Sequence, residues 1–197
     1  CIAGPNREQV VITSLESRKR VHDLRAHADA ILVGGSTARI DNPLLDTRLS
    51  DIPDKIDPDR VVIDYSGTVS SNLNLFREDG RRVFAAHNGS GSYPQRVTPI
   101  HLTSNVMSQN ILQLFRALYE HGVHHLFVEP GGILAQEIIS HGFFDELYLF
   151  TGSTDITNGY KWHKYEGLEW KESLEFCTFE HINTDLLEIF KNPQAFN

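Results

Sequence analysis

The sequence has little of what several common classes of protein need. Its 197 residues include only two cysteines, Cys1 and Cys177, which provide neither a disulfide framework nor a four-cysteine zinc site. No apolar run approaches the length that crosses a bilayer. The formal net charge of −8 disfavours nonspecific binding to nucleic acid or to an acidic membrane. We therefore predict a cytoplasmic protein that binds neither nucleic acid nor membrane.

Several catalytic motifs are missing as well. The ten histidines are scattered and show no H-E-x-x-H or comparable spacing, so we predict no metal site. There is no G-x-S-x-G turn, and the H-x-E and P-C-x-x-C pair of zinc deaminases is absent. The dinucleotide fingerprint G-x-G-x-x-G is absent too. Zinc deaminase chemistry is thereby excluded, and a nucleophilic triad has no support.

What the sequence does contain is an alternation of helix-like and strand-like segments. The predicted helices are Ser17–Ala28, Ser108–His121 and the segment from Gly131 to His141. The predicted strands are Ala30–Gly34, Arg60–Asp64, Arg82–Ala86, Pro99–Leu102, His125–Glu129 and Glu146–Phe150, followed by an antiparallel pair, Leu174–Ile182 with Asp185–Phe190. This order predicts a single α/β domain over residues 1–197, with a mostly parallel central sheet flanked by helices and an antiparallel C-terminal edge.

Three local features of this pattern are also predicted. Thr13 or Ser14 caps the first helix. The polar, proline-containing stretch Asp46–Asp59 is expected to be a surface loop. The strand His125–Glu129 is expected to be buried because it is almost continuously apolar.

Two glycine-rich turns follow predicted strands. The stronger signal is Glu129-Pro130-Gly131-Gly132, where a strand ends and a helix begins, and the second is Gly34-Gly35-Ser36-Thr37. Glycines let the backbone approach a ligand closely, and free N–H groups at a helix start favour an anion such as a pyrophosphate. Two such turns on neighbouring strands can hold the two ends of a dinucleotide, although a tight turn without a ligand explains each motif equally well.

Four charged residues are candidates for a ligand site beside these turns. Arg25 lies at the end of the first helix and Arg48 follows the Asn42-Pro43 loop. A pair of guanidinium groups suits a phosphorylated substrate, while a solvated surface arginine is the alternative for each. Asp41 and Glu129 are candidate polar anchors for a sugar or base edge, and each can equally be a helix cap or a loop carboxylate.

Taken together, several blocks resemble the reductase domain of the bacterial riboflavin-pathway deaminase–reductases. The match runs in order from about Ile2 to Phe150 and covers these segments: Ile12-Thr13-Ser14, Val21-His22, Leu24-Arg25-Ala26, Asp29 to Gly34, Thr37, Asp41-Asn42-Pro43, Arg60 to Asp64, Phe127 to Ala135 and Gly142 to Leu147. The resemblance implies a dihydrofolate-reductase-like fold, use of NADPH, and reduction of the ribosyl group of 5-amino-6-(5-phosphoribosylamino)uracil to a ribityl chain. The cofactor then supplies the hydride, so that no catalytic nucleophile or metal is assigned.

The resemblance also implies roles for individual residues. Substrate contacts are Arg25, Leu45, Arg48 and Glu129, with the arginines on the phosphate. Cofactor contacts are Val11, Gly34, Gly35, Thr37, Asp41, Gly131, Gly132, Ile133 and Leu134, within a segment that continues to Glu137. Asp41 and Glu129 are polar positioners.

Some positions depart from the family pattern and keep alternatives open. The family usually has Trp at Val11 and a small hydroxyl residue at Gln9, and its P-K-x-x-G loop is replaced by Thr151–Asp155. One alternative is a reductase with the same fold and cofactor that acts on a different heterocycle, dihydrofolate-like or from a specialised pathway. Another is a non-catalytic nucleotide-binding module.

Two further expectations come from the family. The first strand of the fold is expected before residue 1. A homodimer is expected, with the aromatic C-terminal third as the candidate surface (Phe176, Phe179, Leu186 and Phe190).

Overall fold

The computed structural model describes residues 10–89, 91–154, 156, 158–159 and 169–195. These residues form two compact units, one made of residues Val21–Gly131 and the other of the residues before and after that range. The prediction of a single domain whose first strand lies before residue 1 is not tested by this division and stays a prediction.

The unit Val21–Gly131 contains a five-stranded sheet in which every pair of neighbours is parallel. Its strands are β1 (Ala30–Gly34), β2 (Asp59–Ile63), β3 (Val83–His87), β4 (Val97–His101) and β5 (Leu126–Glu129), in the spatial order β4-β3-β2-β1-β5. The predicted parallel α/β sheet is therefore confirmed, with each predicted strand found within two residues of its predicted bounds.

Helices precede and connect these strands. They are α1 (Leu15–Ala26), which continues into this unit from the residues before Val21, α2 (Gly35–Asp41) and α3 (Met107–Glu120), with a short 3-10 helix at Asn74–Phe76. On α3 the buried apolar residues are Ile111, Leu114 and Leu118, at helical spacing, as the sequence predicts. Gly122 follows α3 with a φ of 80°, a conformation in which glycine is favoured at the end of a helix.

The core of this unit lies against β1, β2 and β3, whose side chains are almost completely buried. One cluster contains Ile31, Val33, Ala38, Leu45, Val62, Val69, Leu75, Phe76, Val83, Ala85 and Val97. Burial on both faces explains why these strands are continuously apolar in the sequence rather than alternating.

The second unit contains a separate antiparallel sheet. Its strands are β6 (Glu146–Thr151), β7 (Glu175–Ile182) and β8 (Asp185–Lys191), in the order β6-β8-β7, and its helices include α4 (Gly132–Ser140) and α5 (Glu169–Glu172). The hairpin of β7 and β8 turns at Asn183, whose φ is 56°, so the predicted antiparallel pair is confirmed. The antiparallel strands hydrogen bond as a sheet of their own rather than along an edge of the parallel sheet.

In this same unit, the start of α1 is fixed by Ser14 and Asp185. The backbone N–H of Ser17 donates to the Ser14 hydroxyl at 3.2 Å, which confirms the predicted cap. The buried carboxylate of Asp185 accepts hydrogen bonds from the Ser14 N–H and the Ser17 hydroxyl, both at 2.6 Å. Burial alone would raise the pKa of Asp185, but these hydrogen bonds lower it to about 2.

Three local predictions are wrong. The sequence predicts a turn at Gly34-Gly35-Ser36-Thr37, but helix α2 begins at Gly35, directly after β1. The stretch Asp46–Asp59 is not simply a surface loop, since the residues at both of its ends and Thr47 and Ser50 within it are buried. Strand β5 is only half-buried, and among the described strands it pairs with β1 alone.

Two absences were expected from the sequence. Within the described part of the chain, no helix is long and apolar enough to cross a membrane. The same residues contain no cluster of three or more histidine, cysteine or carboxylate side chains arranged to hold a metal ion.

Candidate functional site

The candidate site lies at the carboxyl ends of three adjacent strands in the unit Val21–Gly131. In the sheet register Val33 is opposite Glu129 and Gly34 is opposite Ile63, so β5, β1 and β2 end at the same level. The two predicted glycine-rich segments therefore start from hydrogen-bonded neighbours, β1 and β5. Crevices beyond strand carboxyl ends are where open α/β sheets bind ligands.

The two glycine-rich segments touch each other at Gly131 and Thr37. A methyl group added at Gly131 would lie 2.8 Å from the Thr37 hydroxyl oxygen, which is too close for either side chain to stay in place. At Gly35 an added methyl group would lie 3.2 Å from a carboxylate oxygen of Asp64. Glycine at these two positions permits close packing.

Gly34 is different, because a methyl group there would meet nothing within 4 Å. Its backbone is extended, with φ −78° and ψ 152°, a conformation that any residue adopts. Neither packing within the protein nor backbone conformation requires glycine here. Open space beside this backbone is what the close approach of a ligand needs.

Arg25 and Glu129 form a bidentate ion pair. The Arg25 Nε donates to Glu129 Oε1 at 2.6 Å and its Nη2 donates to Oε2 at 2.8 Å. Both side chains are largely buried, with 11% and 25% of their surfaces exposed. Two parallel N–H···O bonds fix the plane of the carboxylate as well as its position. The two residues that the sequence predicts as substrate contacts are thus in direct contact.

Asp46 connects this pair to Arg48. Its backbone carbonyl accepts a hydrogen bond from Arg25 Nη1 at 2.9 Å, and its carboxylate accepts one from Arg48 Nη1 at 2.5 Å. The Arg48 side chain is 52% exposed, whereas that of Arg25 is almost enclosed. The two predicted phosphate-binding arginines therefore lie on one side of the unit, and Arg48 is the one open to a ligand.

Leu45, also predicted as a substrate contact, has its side chain in the core and is 1% exposed. Its φ of 51° is unusual for a residue with a branched side chain, and Asn42 nearby has a φ of 41°. Any contact of Leu45 with a ligand is therefore through its backbone. The strained conformation is held by burial of the side chain, which fixes the loop before Asp46 and Arg48.

His22 belongs to the same cluster; the sequence places it in the family pattern but assigns it no role in the site. It is 5% exposed, with Nε2 at 3.4 Å from Arg25 Nη1 and Nδ1 at 3.5 Å from the backbone nitrogen of Leu49. Burial, followed by the charges of Arg25 and Arg48, lowers the pKa of His22 to about 4. The imidazole is therefore neutral at physiological pH. Only a tertiary contact reveals its place in the site.

A second cluster, centred on Asp64, follows β2. The carboxylate of Asp64 accepts hydrogen bonds from the backbone N–H of Val69 at 2.8 Å and from the Tyr93 hydroxyl at 2.9 Å. Arg39 lies 3.7 Å from the same carboxylate and donates to the hydroxyls of Thr68 and Ser36 at 2.8 and 3.1 Å. The sequence gives no signal for this cluster beyond the position of Asp64 at a strand end.

Asp41, predicted as a cofactor contact and polar positioner, ends helix α2. It makes no hydrogen bond or ion pair with the residues that the structure describes, in contrast to Glu129, Asp46 and Asp64. Its half-buried carboxyl group has a raised pKa because burial disfavours the charged form. A half-buried carboxyl group without a partner among the described residues is available for a polar contact with a ligand.

The remaining predicted cofactor residues belong to the other unit. Val11 and Ile133 are exposed, at 65% and 63%, and Leu134 is buried at 6%. Gly132 is the first residue of α4. Leu134 can therefore contact a ligand only through its backbone.

Solved structures show which class this architecture defines, namely the reductases of riboflavin biosynthesis. The deaminase/5-amino-6-(5-phosphoribosylamino)uracil reductase of Thermotoga maritima superposes with a TM-score of 0.81 at 25% identity, over 97% of this chain and 52% of that one. The riboflavin biosynthesis reductase Rib7 of Saccharomyces cerevisiae shares the fold, with a TM-score of 0.70 at 18% identity over 89% of this chain and 80% of its own.

The chain belongs to the RibD C-terminal domain family, whose model matches residues 1–156. The 5-amino-6-(5-phosphoribosylamino)uracil reductase of Buchnera aphidicola is 28% identical over 87% of this chain and 89% of its own length. The 2,5-diamino-6-ribosylamino-4(3H)-pyrimidinone 5′-phosphate reductase of Archaeoglobus fulgidus is 27% identical over 77% and 74%. The chain spans only 41% of the Escherichia coli riboflavin biosynthesis protein RibD and about half of the Thermotoga protein. The predicted family and reductase class are confirmed.

Proposed function

We propose that this chain reduces the ribosyl group of 5-amino-6-(5-phosphoribosylamino)uracil to the ribityl chain with NADPH. The observation that carries the proposal is the Arg25–Glu129 ion pair at the end of β5, next to the contact between Gly131 and Thr37. The fixed, hydrogen-bonding carboxylate ends the strand that pairs with β1, and the backbone at the end of β1, at Gly34, has open space beside it. The family and its named reductases support the same assignment.

The reaction adds a hydride to C1′ of the open-chain imine while the imine nitrogen takes up a proton. NADPH, when bound, supplies the hydride. Glu129, held by Arg25, accepts hydrogen bonds from the sugar or the pyrimidine, and the half-buried carboxyl group of Asp41 makes a further polar contact with the ligand. Arg48 holds the substrate phosphate. These residues orient the reactants, and orientation is the main contribution that the protein must make.

The preference for NADPH over NADH depends on Arg39. The two cofactors differ by one phosphate on the adenosine ribose, and a guanidinium flanked by two hydroxyl groups is suited to bind it. Arg39 is 39% exposed, next to Ser36 and Thr68, and it follows the open backbone at Gly34. Asp64 balances this charge when no phosphate is present, at 3.7 Å.

A direct assay tests the proposal. The purified chain is mixed with NADPH and the phosphoribosylamino-uracil, and loss of NADPH absorbance and formation of the ribityl product are followed. The expected result is turnover that Arg48→Ala reduces through a higher KM for the substrate. Turnover of dihydrofolate alone would instead favour a reductase that acts on a different heterocycle. The departures from the family pattern at Gln9, Val11 and Thr151–Asp155 motivate this alternative. Binding without any turnover would favour a non-catalytic module.

A second substrate deserves a parallel assay. The Archaeoglobus relative is named for a 2,5-diamino-pyrimidinone phosphate, and its identity to this chain is within one per cent of that of the Buchnera relative. The two substrates differ at one position of the pyrimidine ring, an amino group in place of an oxo group. The ratio of the two kcat/KM values shows which compound the enzyme prefers as its substrate.

We also propose a cytoplasmic homodimer. On β7 the side chains of Phe176 and Phe179 are exposed, at 52% and 57%, along the outer strand of the three-stranded sheet. Phe190, named as a further dimer residue from the sequence, is 4% exposed and lies in the core of its unit instead. An exposed aromatic edge strand favours pairing with another strand. Light scattering that gives the mass of a monomer would contradict this proposal.

A further inference from the structure

Asp57 is a half-buried carboxylate whose place in the structure the reaction leaves unexplained. Its Oδ1 accepts two hydrogen bonds from Thr47, one from the hydroxyl at 2.6 Å and one from the backbone N–H at 2.8 Å. Thr47 is 1% exposed and lies between Asp46 and Arg48 in the loop that carries these two site residues. Asp57 therefore contacts this loop at its buried residue, from ten positions further along the chain.

The N–H that Asp57 binds belongs to the same peptide group as the carbonyl of Asp46. That carbonyl accepts the hydrogen bond from Arg25 Nη1 at 2.9 Å. In a trans peptide the N–H and the C=O lie in one plane and point in opposite directions. Asp57 and Arg25 therefore bind opposite edges of one rigid plane. A rotation of the plane that displaces the N–H from Asp57 displaces the carbonyl from Arg25 as well.

The charge of Asp57 strengthens this arrangement. Burial alone would raise the pKa of Asp57, but the hydrogen bonds from Thr47 and the charges of Arg77 and Arg60 lower it, so the group is ionised at neutral pH. A carboxylate that accepts the N–H polarises the peptide group and makes its carbonyl a better acceptor. Arg77 Nη2 lies 4.0 Å from Oδ2 of Asp57, and its Nη1 donates to the carbonyl of Leu44 in the same loop. Asp57 is thus paired with a cation that also contacts the loop.

We propose that Asp57 is a positioning residue of the substrate site. It acts through the Asp46–Thr47 peptide group on Arg25, which in turn aligns Glu129. The inference rests on the proposed function, since it assumes that the aligned Glu129 meets the substrate. Each step from Asp57 to Glu129 is a hydrogen bond of between 2.6 and 2.9 Å, and all these residues belong to one compact unit.

The first test compares variants with and without an acceptor at position 57. Asp57→Ala removes it, and we expect kcat/KM for the phosphoribosylamino-uracil to fall about tenfold, the size expected for loss of one hydrogen bond to a charged group. Asp57→Asn keeps a side-chain oxygen and should recover most of this loss. Asp54→Asn removes the same charge from an exposed position in the same segment, and as the matched control it should leave kcat/KM unchanged. An unchanged Asp57→Ala, or an Asp57→Asn that is equally impaired, would overturn the proposal.

A double-mutant cycle separates positioning from a general loss of stability. Because Asp57 acts through Arg25, Asp57→Ala introduced into Arg25→Met should lower kcat/KM by less than about a further twofold. A further tenfold loss would show that the two residues act independently, and the proposal would then be wrong. Should Asp57→Ala not fold, Asp57→Ser takes its place with the same expectations, since its shorter side chain draws the acceptor away from the peptide N–H.

The hydrogen-bonded Nε–H of Arg25 gives a readout that needs no turnover. In NMR spectra of the free chain, its exchange with water should be about tenfold faster in Asp57→Ala than in the wild type, Asp57→Asn and Asp54→Asn. Equal exchange in all four proteins would exclude the positioning role. If the wild-type chain shows no turnover at all, the proposed function is wrong, and this exchange rate still decides the role of Asp57.

Discussion

At the scale of single residues, the site depends on how completely Arg25 is engaged. Its guanidinium donates to both oxygens of Glu129 and to the carbonyl of Asp46, so few of its N–H groups remain for a ligand. The sequence suggests that both arginines hold the phosphate. The geometry separates the two arginines, because Arg25 is engaged with Glu129 while Arg48 is half exposed, and we propose that Arg48 alone meets the phosphate.

Arg25→Lys tests this division. A lysine ammonium keeps the charge but cannot make the two-pronged contact, so that the plane of the Glu129 carboxylate is no longer fixed. We expect kcat/KM to fall by about a hundredfold, a loss in the range for breaking one partner of a largely buried ion pair. The matched control is Arg20→Lys, whose partner Glu180 is half exposed, and which should change kcat/KM less than twofold. Similar losses in both variants would contradict the assigned role.

Arg39 makes a separate prediction about the cofactor. If its guanidinium binds the extra phosphate of NADPH, Arg39→Ala should raise the KM for NADPH by about ten- to a hundredfold and leave that for NADH almost unchanged. Steady-state kinetics with the two cofactors measure the ratio. Equal effects on both cofactors would show that Arg39 supports the loop rather than the phosphate.

At the scale of elements, the two glycine-rich segments differ in what each glycine permits. Gly131 and Gly35 are packed against neighbouring atoms, while Gly34 faces open space. The positions look alike in the sequence, because a run of two glycines does not reveal which backbone atoms lie near a neighbour. The difference between the glycines becomes visible only in the folded sheet, where the ends of β5, β1 and β2 lie at the same level.

This contrast predicts opposite effects of the same substitution. Gly34→Ala should leave the free energy of unfolding within about 0.5 kcal/mol of the wild type and raise the KM for NADPH, because only a ligand meets the new methyl group. Gly131→Ala should lower the unfolding free energy by about 1–3 kcal/mol, since its methyl group lies 2.8 Å from the Thr37 hydroxyl. Chemical denaturation and cofactor kinetics measure the two effects. A Gly34→Ala protein with unaltered cofactor kinetics would argue against close approach of a ligand.

Much of the element pattern follows from the sequence. Strands such as β1 and β2 are short, apolar and buried on both faces, and the hairpin of β7 and β8 has Asn183 at a position with positive φ. The signals that fix these elements are local. The sequence also points to Arg25, Glu129 and the glycine pairs as site candidates, because their chemistry is visible in the residue types, and the structure brings Arg25 and Glu129 into contact.

The parts that the sequence does not reveal depend on distant contacts. The polar stretch Asp46–Asp59 looks like a surface loop, yet Asp57 accepts hydrogen bonds from the Thr47 hydroxyl and N–H at 2.6 and 2.8 Å, which allows Thr47 to be buried. His22 and the Asp64–Tyr93 pair matter for the same reason. Hydrogen bonds between residues far apart in the chain satisfy polar groups that composition alone assigns to the surface.

At the scale of the whole molecule, the chain divides into two compact units, and a buried carboxylate anchors one of them. In the unit of the antiparallel sheet this is Asp185, which joins the start of α1 to the β7–β8 hairpin through Ser14 and Ser17. The sequence separation of about 170 residues makes the contact one that forms only in the folded chain. Removing this contact therefore tests how much it contributes to the stability of that unit.

Asp185→Asn should lower the unfolding free energy by about 2 kcal/mol at neutral pH, through loss of charge-assisted hydrogen bonds. The folded pKa of about 2 is below the usual value for aspartate, so the carboxylate stabilises the fold above about pH 4. This contribution is lost as the pH falls through about 2. Thermal unfolding across that range should show a steeper acid loss in the wild type than in Asp185→Asn. Parallel curves would exclude the anchor role.

The internal neutralisation of Glu129 by Arg25 has a consequence for how the protein responds to its solvent. The attraction between an anionic substrate and the site is then carried mainly by Arg48, a guanidinium that is half exposed and therefore screened by mobile ions. Raising the ionic strength should therefore weaken substrate capture, while the largely buried pair keeps the carboxylate aligned because it is screened much less. Salt would thus act on the arrival of the substrate and not on the geometry that receives it.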